Sequence, residues 1–185
     1  MGTASTMLVI DADVAQAAGG EGATSAVSKR CRDFLTDVLT ICHRMVLVPD
    51  LGREWKEHAS TRARAWRREM EGRKKVCRTP AKLRKDLLDR VLASLAADAR
   101  AQQAAAKDFH LILAALEGDM RVVSLDEEAR KIYASAARAV REIRGIVWVN
   151  PSREREEAQR WLSAGAPCQE ARQLGCVKGF AGGHS

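Results

Sequence analysis

Four short apolar runs along the chain predict buried β-strands. They cover residues 7–10, 45–48, 121–124 and 146–149. Their aliphatic and β-branched residues follow one another without the polar alternation of a half-exposed strand. This pattern is typical of parallel strands that helices cover on both faces.

Between these runs, apolar positions recur at spacings of three and four, which predicts amphipathic helices. The helical stripes cover residues 27–45, 83–99, 109–116 and 129–143. Residues 109–116 are apolar on nearly every side, so we expect their helix to be central. Strands that alternate with helices predict a three-layer α/β/α fold with a mainly parallel central sheet.

The chain of 185 residues is long enough for one domain, which we assign to residues 7–150. The remainder, 151–185, is predicted to hold a short charged helix at 152–163 and a flexible glycine-rich end. Trp161 and Leu162 lie on this helix and should not face water. They could pack on their own domain or on a partner, and the sequence leaves both open.

The composition excludes several classes of protein. At 46% hydrophobic and 30% charged residues, the chain is globular rather than disordered. No apolar run approaches the roughly 18 residues of a membrane span, and the first residues do not form a signal peptide. Five scattered cysteines without a Cys-x-x-Cys pair argue against a disulfide framework or a zinc site. We therefore expect a cytoplasmic protein that does not enter the membrane.

Positive charge is concentrated in residues 62–90, which contain twelve Lys or Arg and four Asp or Glu. The net charge of the whole chain is +7, so the excess lies entirely in this segment. A local basic patch predicts contact with phosphates, although a solvated helix face is the simpler alternative. Trp66 could stack on a base. The candidate RNA-binding residues, within a predicted basic helical segment at 62–106, are Arg62, Arg64, Arg67, Arg68, Arg73, Lys74 and Lys75.

Four acidic residues each stand beside an apolar element. Asp11 directly follows the first run, and Glu54 follows the second. Asp108 stands at the predicted start of the central helix, and Asp126 lies just beyond the third run. Because the carboxyl ends of parallel strands meet at one edge, we expect these carboxylates to converge there. Converging carboxylates repel one another unless a cation joins them, and Mg²⁺ or Mn²⁺ prefers oxygen ligands.

Each acid also has a purely structural interpretation. Asp108 and Asp126 stand where helix N-caps are expected, and Ser124 with Glu127 resembles a capping box. Glu54 alone would pass for a surface residue of a helix. The hypothesis of a metal site therefore depends on the four acids together and in order.

In this order the acids and their neighbours resemble the PIN-domain nucleases, and among them the toxin ribonucleases of the VapC type. The matching stretches are IDADV at 10–14, VPDLGRE at 48–54, DFHLILAA at 108–115 and VVSLD at 122–126. The resemblance spans residues 7–149. The chain departs from the family by carrying Asp13 where Asn is commoner and Ser124 where Thr is commoner. Its basic segment is also long.

The resemblance implies a PIN-like fold and a phosphodiesterase that needs Mg²⁺ or Mn²⁺ to cleave RNA. It implies that the catalytic and metal-binding residues are Asp11, Glu54, Asp108 and Asp126, supported by Asp13 and Ser124. The implied partners are RNA, an antitoxin protein if the chain is the toxin of a type II pair, and a second copy in a homodimer.

Three other interpretations compete with this one. A non-catalytic RNA-binding or scaffold protein could use the same fold. Asp11 and Asp13 could open a haloacid dehalogenase phosphatase, but the last apolar run leads into Asn150 and Pro151 rather than paired acids. Residues 19–25 hint at a phosphate loop, but they lack its Gly-Lys-Ser/Thr ending.

Overall fold

A parallel β-sheet forms the centre of the structure, a computed structural model that describes residues 5–20, 22, 24–80 and 82–176. Within these residues the sheet has five strands, paired in the order β3-β2-β1-β4-β5. The strands are β1 Met7–Ile10, β2 Arg44–Leu47, β3 Val76–Arg78, β4 Arg121–Val123 and β5 Val147–Val149. Every neighbouring pair is parallel. The predicted parallel sheet is therefore confirmed.

Helices connect the strands. They are α1 Ala12–Ala17, α2 Ala26–Ile41, α3 Pro49–His58, α4 Thr61–Gly72, α5 Lys85–Ser94, α6 Ala99–Glu117, α7 Glu127–Ala136 and α8 Ala158–Ser163. Short 3₁₀ turns occur at Arg141–Ile143, Glu154–Glu156, Glu170–Arg172 and Leu174–Cys176.

The strand order explains why helices cover both faces of the sheet. The chain moves outward from β1 to β2 and β3, then returns to the other side of β1 for β4 and β5. Because crossovers between parallel strands are right-handed, connections that run in opposite directions lie on opposite faces. Consistent with this, α6 contacts β1, β2 and β4, whereas α2 packs with α1, α4 and α8. The three-layer α/β/α architecture is confirmed.

The four predicted strands are present with small shifts at their ends, but β3 was missed. It is a three-residue edge strand, Val76–Arg78, whose residues are half-buried or exposed. It stands inside the basic segment and contains no apolar run. Edge strands of this kind leave little trace in hydrophobic patterning.

The predicted helix at 83–99 is two separate elements. The helix α5 ends at Ser94, and Asp98 caps the start of α6 by accepting a hydrogen bond from the Ala101 N–H at 3.0 Å. Leu83 precedes α5 and is 66% exposed. Asp108 consequently lies in the middle of α6, so its interpretation as an N-cap is wrong.

The tail packs on its own domain. In α8, Trp161 is 2% exposed and Leu162 is fully buried, and the helix contacts α2. The Trp161 indole N–H donates to the Pro167 carbonyl at 3.0 Å, and a His43 ring nitrogen lies 3.0 Å from the Leu162 carbonyl. The predicted helix at 152–163 is a 3₁₀ turn followed by α8. The predicted flexible end lies mostly outside the described residues.

Buried ion pairs hold this tail in place. Glu156 accepts from Arg130 at 2.5 Å and lies 3.4 Å from Arg172, while its other contacts include the Asn150 N–H at 3.0 Å. A cleft of about 1220 Å³ beside these residues is lined in part by Arg130 and Arg172, which both pair with Glu156. This network is a structural anchor.

No helix in the described ranges is both long and apolar enough to cross a membrane. All five cysteines are free thiols.

We predict that Trp161→Ala destabilises the protein by about 3–5 kcal/mol, because it removes a buried indole and leaves a cavity. Urea unfolding measures this change. The exposed neighbour Arg160 supplies the control, and Arg160→Ala should change stability by less than about 0.5 kcal/mol. A folded Trp161→Ala protein of unchanged stability that elutes as a smaller species would instead assign Trp161 to an interface.

Candidate functional site

The sheet has one topological switch point, between β1 and β4. Connections from these neighbouring strands leave in opposite directions, so a crevice opens at their carboxyl ends. Asp11 directly follows β1, and Ser124 directly follows β4. The Asp11 N–H donates to the Val123 carbonyl at 2.9 Å, which holds the two strand ends together. We call this place the β1–β4 crevice.

The buried Ser124 hydroxyl lies between two carboxylates in the crevice. Its Oγ is 2.8 Å from Asp11 Oδ2 and 3.0 Å from Asp13 Oδ2. It also accepts a hydrogen bond from the Asp126 N–H at 3.0 Å. Because a hydroxyl has a single proton, it can donate to only one of the two carboxylates at a time.

Asp126 is the N-cap of α7, as one interpretation of the sequence expected. Its Oδ1 accepts a hydrogen bond from the Ala129 N–H at 2.8 Å. Ser124 stands two residues before this cap, so the capping box of Ser124 and Glu127 is wrong. The cap uses one carboxylate oxygen of Asp126, so capping and binding a cation are compatible roles.

Glu54 is brought to the crevice by its neighbour Trp55. The buried Trp55 indole donates to the Ile10 carbonyl at 2.7 Å, which fixes α3 against the carboxyl end of β1. Trp66 stacks on Trp55 with ring centroids 5.8 Å apart, and it donates to the Leu35 carbonyl at 2.5 Å. Trp66 is therefore a core residue, and its predicted role in stacking on a base is wrong.

Asp108 projects from the middle of α6. Within the described residues its carboxylate makes no hydrogen bond and no ion pair, so the fold gives it no visible structural task. Burial raises the pKa of Asp108, and the charges of Asp11 and Asp126 add to this effect although Lys107 opposes it. Asp108 is thus close enough to Asp11 and Asp126 for their charges to act on its carboxyl group.

Two residues near the crevice were missed in the sequence. His110 is buried, with Nε2 3.2 Å from Glu54 Oε2 and Nδ1 3.3 Å from the Lys107 carbonyl. Although Nε2 is close to this carboxylate, it has no hydrogen-bond partner among the described residues. The sequence feature that could have revealed His110 is its place as a polar residue inside the otherwise apolar run at 109–116. Asn150, after β5, donates to the Leu125 carbonyl at 3.1 Å and steadies the loop after β4.

The carboxylates in the crevice are electrostatically strained. Burial and the charge of Asp11 raise the pKa of Asp13 to about 7. Burial likewise raises the pKa of Asp11, with the Ser124 hydrogen bond opposing this shift and the charge of Glu54 adding to it. These shifts mean that burial, together with repulsion between neighbouring carboxylates, disfavours the charged forms of Asp11 and Asp13.

The residues around the crevice suit a hard divalent cation held partly through water. No three His, Cys, Asp or Glu side chains in the described part of the chain stand ready to hold a metal ion. However, Mg²⁺ keeps several waters and commonly uses only one or two carboxylates. The buried Asp13 Oδ1 has no hydrogen-bond partner. The atoms near it that could bind a cation are mostly carboxylate oxygens. The carboxylate oxygens of Asp11, Glu54, Asp108 and Asp126 are the type of ligand that Mg²⁺ and Mn²⁺ prefer.

The predicted RNA-binding residues do not form one patch beside these acids. The start of α4 is tied to α1 by the Ser60 hydroxyl, which donates to the Ala15 carbonyl at 2.8 Å. Arg62 and Arg64 are thus near the carboxyl edge of the sheet, and Arg67 and Arg68 follow along α4. Arg73, Lys74 and Lys75 follow the end of α4, at the amino edge where β3 begins.

Compared with known proteins, the chain matches no family model, no curated protein and no solved structure.

We predict that the metal-free protein loses stability as the pH rises from about 4 to about 7. The pKa of Asp13 is raised from 3.8 to about 7 on folding, so the unfolded chain releases this proton first. Stability then falls with pH, by up to about 1.4 kcal/mol per unit of pKa difference. Urea unfolding in EDTA across this range measures the slope.

Asp13→Asn should flatten this slope, while the exposed control Asp89→Asn should keep it. Parallel pH profiles for the wild type and Asp13→Asn would contradict the assignment of the buried charge to Asp13.

Proposed function

We propose that the protein is a PIN-like endoribonuclease that uses Mg²⁺ or Mn²⁺ to hydrolyse phosphodiester bonds in single-stranded RNA. The observation that carries this proposal is the Ser124 hydroxyl shared between Asp11 and Asp13 in a buried crevice. Burial disfavours the charged forms of both carboxyl groups and raises the pKa of Asp11 and Asp13, although the hydrogen bonds from Ser124 oppose this shift. A bound cation would compensate the charge.

Each side chain has a defined part in this proposal. Ser124 orients Asp11 and Asp13, and the Trp55 hydrogen bond to the end of β1 sets the position of Glu54. The rigid helix α6 presents Asp108, and Asp126 keeps one oxygen outside its cap. When bound, Mg²⁺ or Mn²⁺ would activate a water and offset the charge that develops on the phosphate. The ordered motifs shared with VapC-type ribonucleases support the same chemistry.

A non-catalytic RNA-binding or scaffold protein is the second candidate. One observation favours it, since the described residues contain no ready group of three metal ligands. The basic residues along α4 would then bind RNA without cleaving it.

The resemblance to VapC-type toxins also leads us to propose a biological role, partners and a location for the protein. The protein would be the toxin of a type II pair, with an antitoxin partner, a homodimeric assembly and a cytoplasmic location. The buried Trp161 and Leu162 are unsuitable as the dimer contacts, because α8 covers its own domain. Leu83 and Val27 remain exposed apolar residues, at 66% and 41%.

We predict that the purified protein cleaves single-stranded RNA in Mn²⁺ and loses this activity in EDTA. Asp108→Asn should lower the rate by more than about 100-fold, because even the outer partners of metal ligands contribute 10–100-fold. Thermal stability should stay unchanged or rise, since Asp108 makes no cap. Gel electrophoresis of a labelled RNA measures cleavage, and Asp89→Asn is the surface control.

Equal cleavage in Mn²⁺ and EDTA would contradict the metal-dependent mechanism. RNA binding without cleavage at any Mn²⁺ concentration would favour the non-catalytic alternative. Full activity in Asp108→Asn would remove this residue from the site.

A further inference from the structure

A second feature lies at the carboxyl edge of the sheet, on the other side of α3 from the β1–β4 crevice. It is a cleft of about 540 Å³ beyond the ends of β2 and β3. Its lining residues are supplied by α3, α4 and the two strand ends. We call it the α3–β3 cleft, and the residues used below are Gly52, Arg53, Lys56, Arg67 and Arg78.

The lining of the α3–β3 cleft contains four cations and no acidic residue. Carboxylates just outside it neutralise part of this charge. Asp50 pairs with Arg53, and Glu71 Oε1 lies 2.7 Å from Arg78 and 3.5 Å from Arg67. Glu71 therefore holds two guanidinium groups side by side.

The positive charge of the α3–β3 cleft is not fully balanced. Within the described part of the chain, the Lys56 ammonium has no carboxylate partner, and Glu71 is a single carboxylate for two arginines. Four cations with two neighbouring carboxylates leave an excess of two positive charges. Guanidinium groups bind phosphate oxygens in pairs, and an ammonium adds a point charge.

The α3 helix forms a wall shared by the crevice and the cleft. Arg53 and Lys56 are three residues apart, so they lie on one face of the helix, and both line the cleft. Glu54 points elsewhere, toward His110. Adjacent strands are about 4.8 Å apart, so the midpoint of β2 and β3 lies about 10 Å from that of β1 and β4. One extended strand of RNA could contact both places.

Gly52 leaves the backbone of α3 open to the cleft. A glycine inside a helix is less favourable than alanine. A Cβ at this position would meet only Leu47 Cγ at 3.7 Å and Leu47 Cδ2 at 3.8 Å, which are ordinary contacts. The fold therefore does not require glycine at this position. Glycine is suited to places where a ligand approaches the backbone closely.

We propose that the α3–β3 cleft binds a backbone phosphodiester of the substrate RNA, next to the bond that is cleaved. This inference rests on the proposed ribonuclease function, because it identifies how that substrate is held. The cleft contains no aromatic side chain on which a base could stack. It therefore positions the strand by its phosphate and does not select a sequence.

Binding of a labelled oligouridylate of about 12 nucleotides tests this proposal, measured by fluorescence anisotropy in EDTA over a range of salt concentrations. The cleft variant is Lys56→Gln with Arg78→Gln. The matched control is Arg44→Gln with Arg141→Gln, which removes the same charge from exposed residues that do not line the cleft. We expect the cleft variant to raise Kd about tenfold and to reduce the salt slope by about 0.7. The control should change Kd less than twofold.

A variant that changes no charge tests whether RNA enters the cleft itself or is only attracted by the overall positive charge. Gly52→Leu keeps every charge but fills the cleft next to α3. We expect it to weaken oligouridylate binding while circular dichroism shows an unchanged fold. Binding equal to that of the wild type in folded Gly52→Leu would overturn the proposal.

Cleavage assays separate this inference from the proposed function. The dinucleotide UpU contains only the phosphodiester that is cleaved, so the cleft variant should hydrolyse it at the wild-type rate while cleaving oligouridylate more slowly. Equal losses of affinity in the cleft variant and the control would overturn the proposal that the cleft binds the RNA phosphate, even if the wild type cleaves RNA. A cleft-specific loss of affinity in a protein without nuclease activity would support the cleft and reject the ribonuclease function.

Discussion

The reversal of strand order at β1 is the constraint on which the rest of the structure depends. The chain builds β2 and β3 on one side of β1 and must return across the sheet to place β4 on the other side. This return puts α6 on the opposite face from α2 and opens the β1–β4 crevice at the carboxyl edge. Two hydrogen bonds then define its walls, since Asp11 is tied to Val123 and Trp55 to Ile10.

Acidic and basic side chains lie in separate places along the carboxyl edge of the sheet. Carboxylates gather in the crevice, where burial makes them unfavourable in the absence of a cation, and the Ser124 hydroxyl can satisfy only one of them at a time. Cations gather on the far side of α3, with Arg53 and Lys56 facing away from Glu54. A cation bound in the crevice and a phosphate bound in the cleft would each relieve one of these imbalances. The two features are complementary parts of the ribonuclease that we propose.

Hydrophobic patterning predicted the layers and four of the strands, because buried parallel strands are continuous apolar runs. It missed β3, a short edge strand among charged residues, and it joined α5 to α6 because apolar spacing does not reveal the cap at Asp98. The order of the acids predicted that Asp11 would lie at the carboxyl edge of the sheet, where it directly follows β1. Patterning could not locate His110, the α3–β3 cleft or the burial of Trp66, since these depend on which helix faces pack together. The basic segment likewise looked like one patch because its residues are close in sequence and not in space.

The central claim is that the β1–β4 crevice binds a divalent cation, and anomalous diffraction from crystals grown with Mn²⁺ tests it most directly. The account predicts an anomalous peak in the crevice, about 2.1 Å from an oxygen of Asp11, with further ligands among Glu54, Asp108, Asp126 and water. Crystals treated with EDTA should lack this peak. A crevice without anomalous density at saturating Mn²⁺, or Mn²⁺ bound only elsewhere on the protein, would contradict the account.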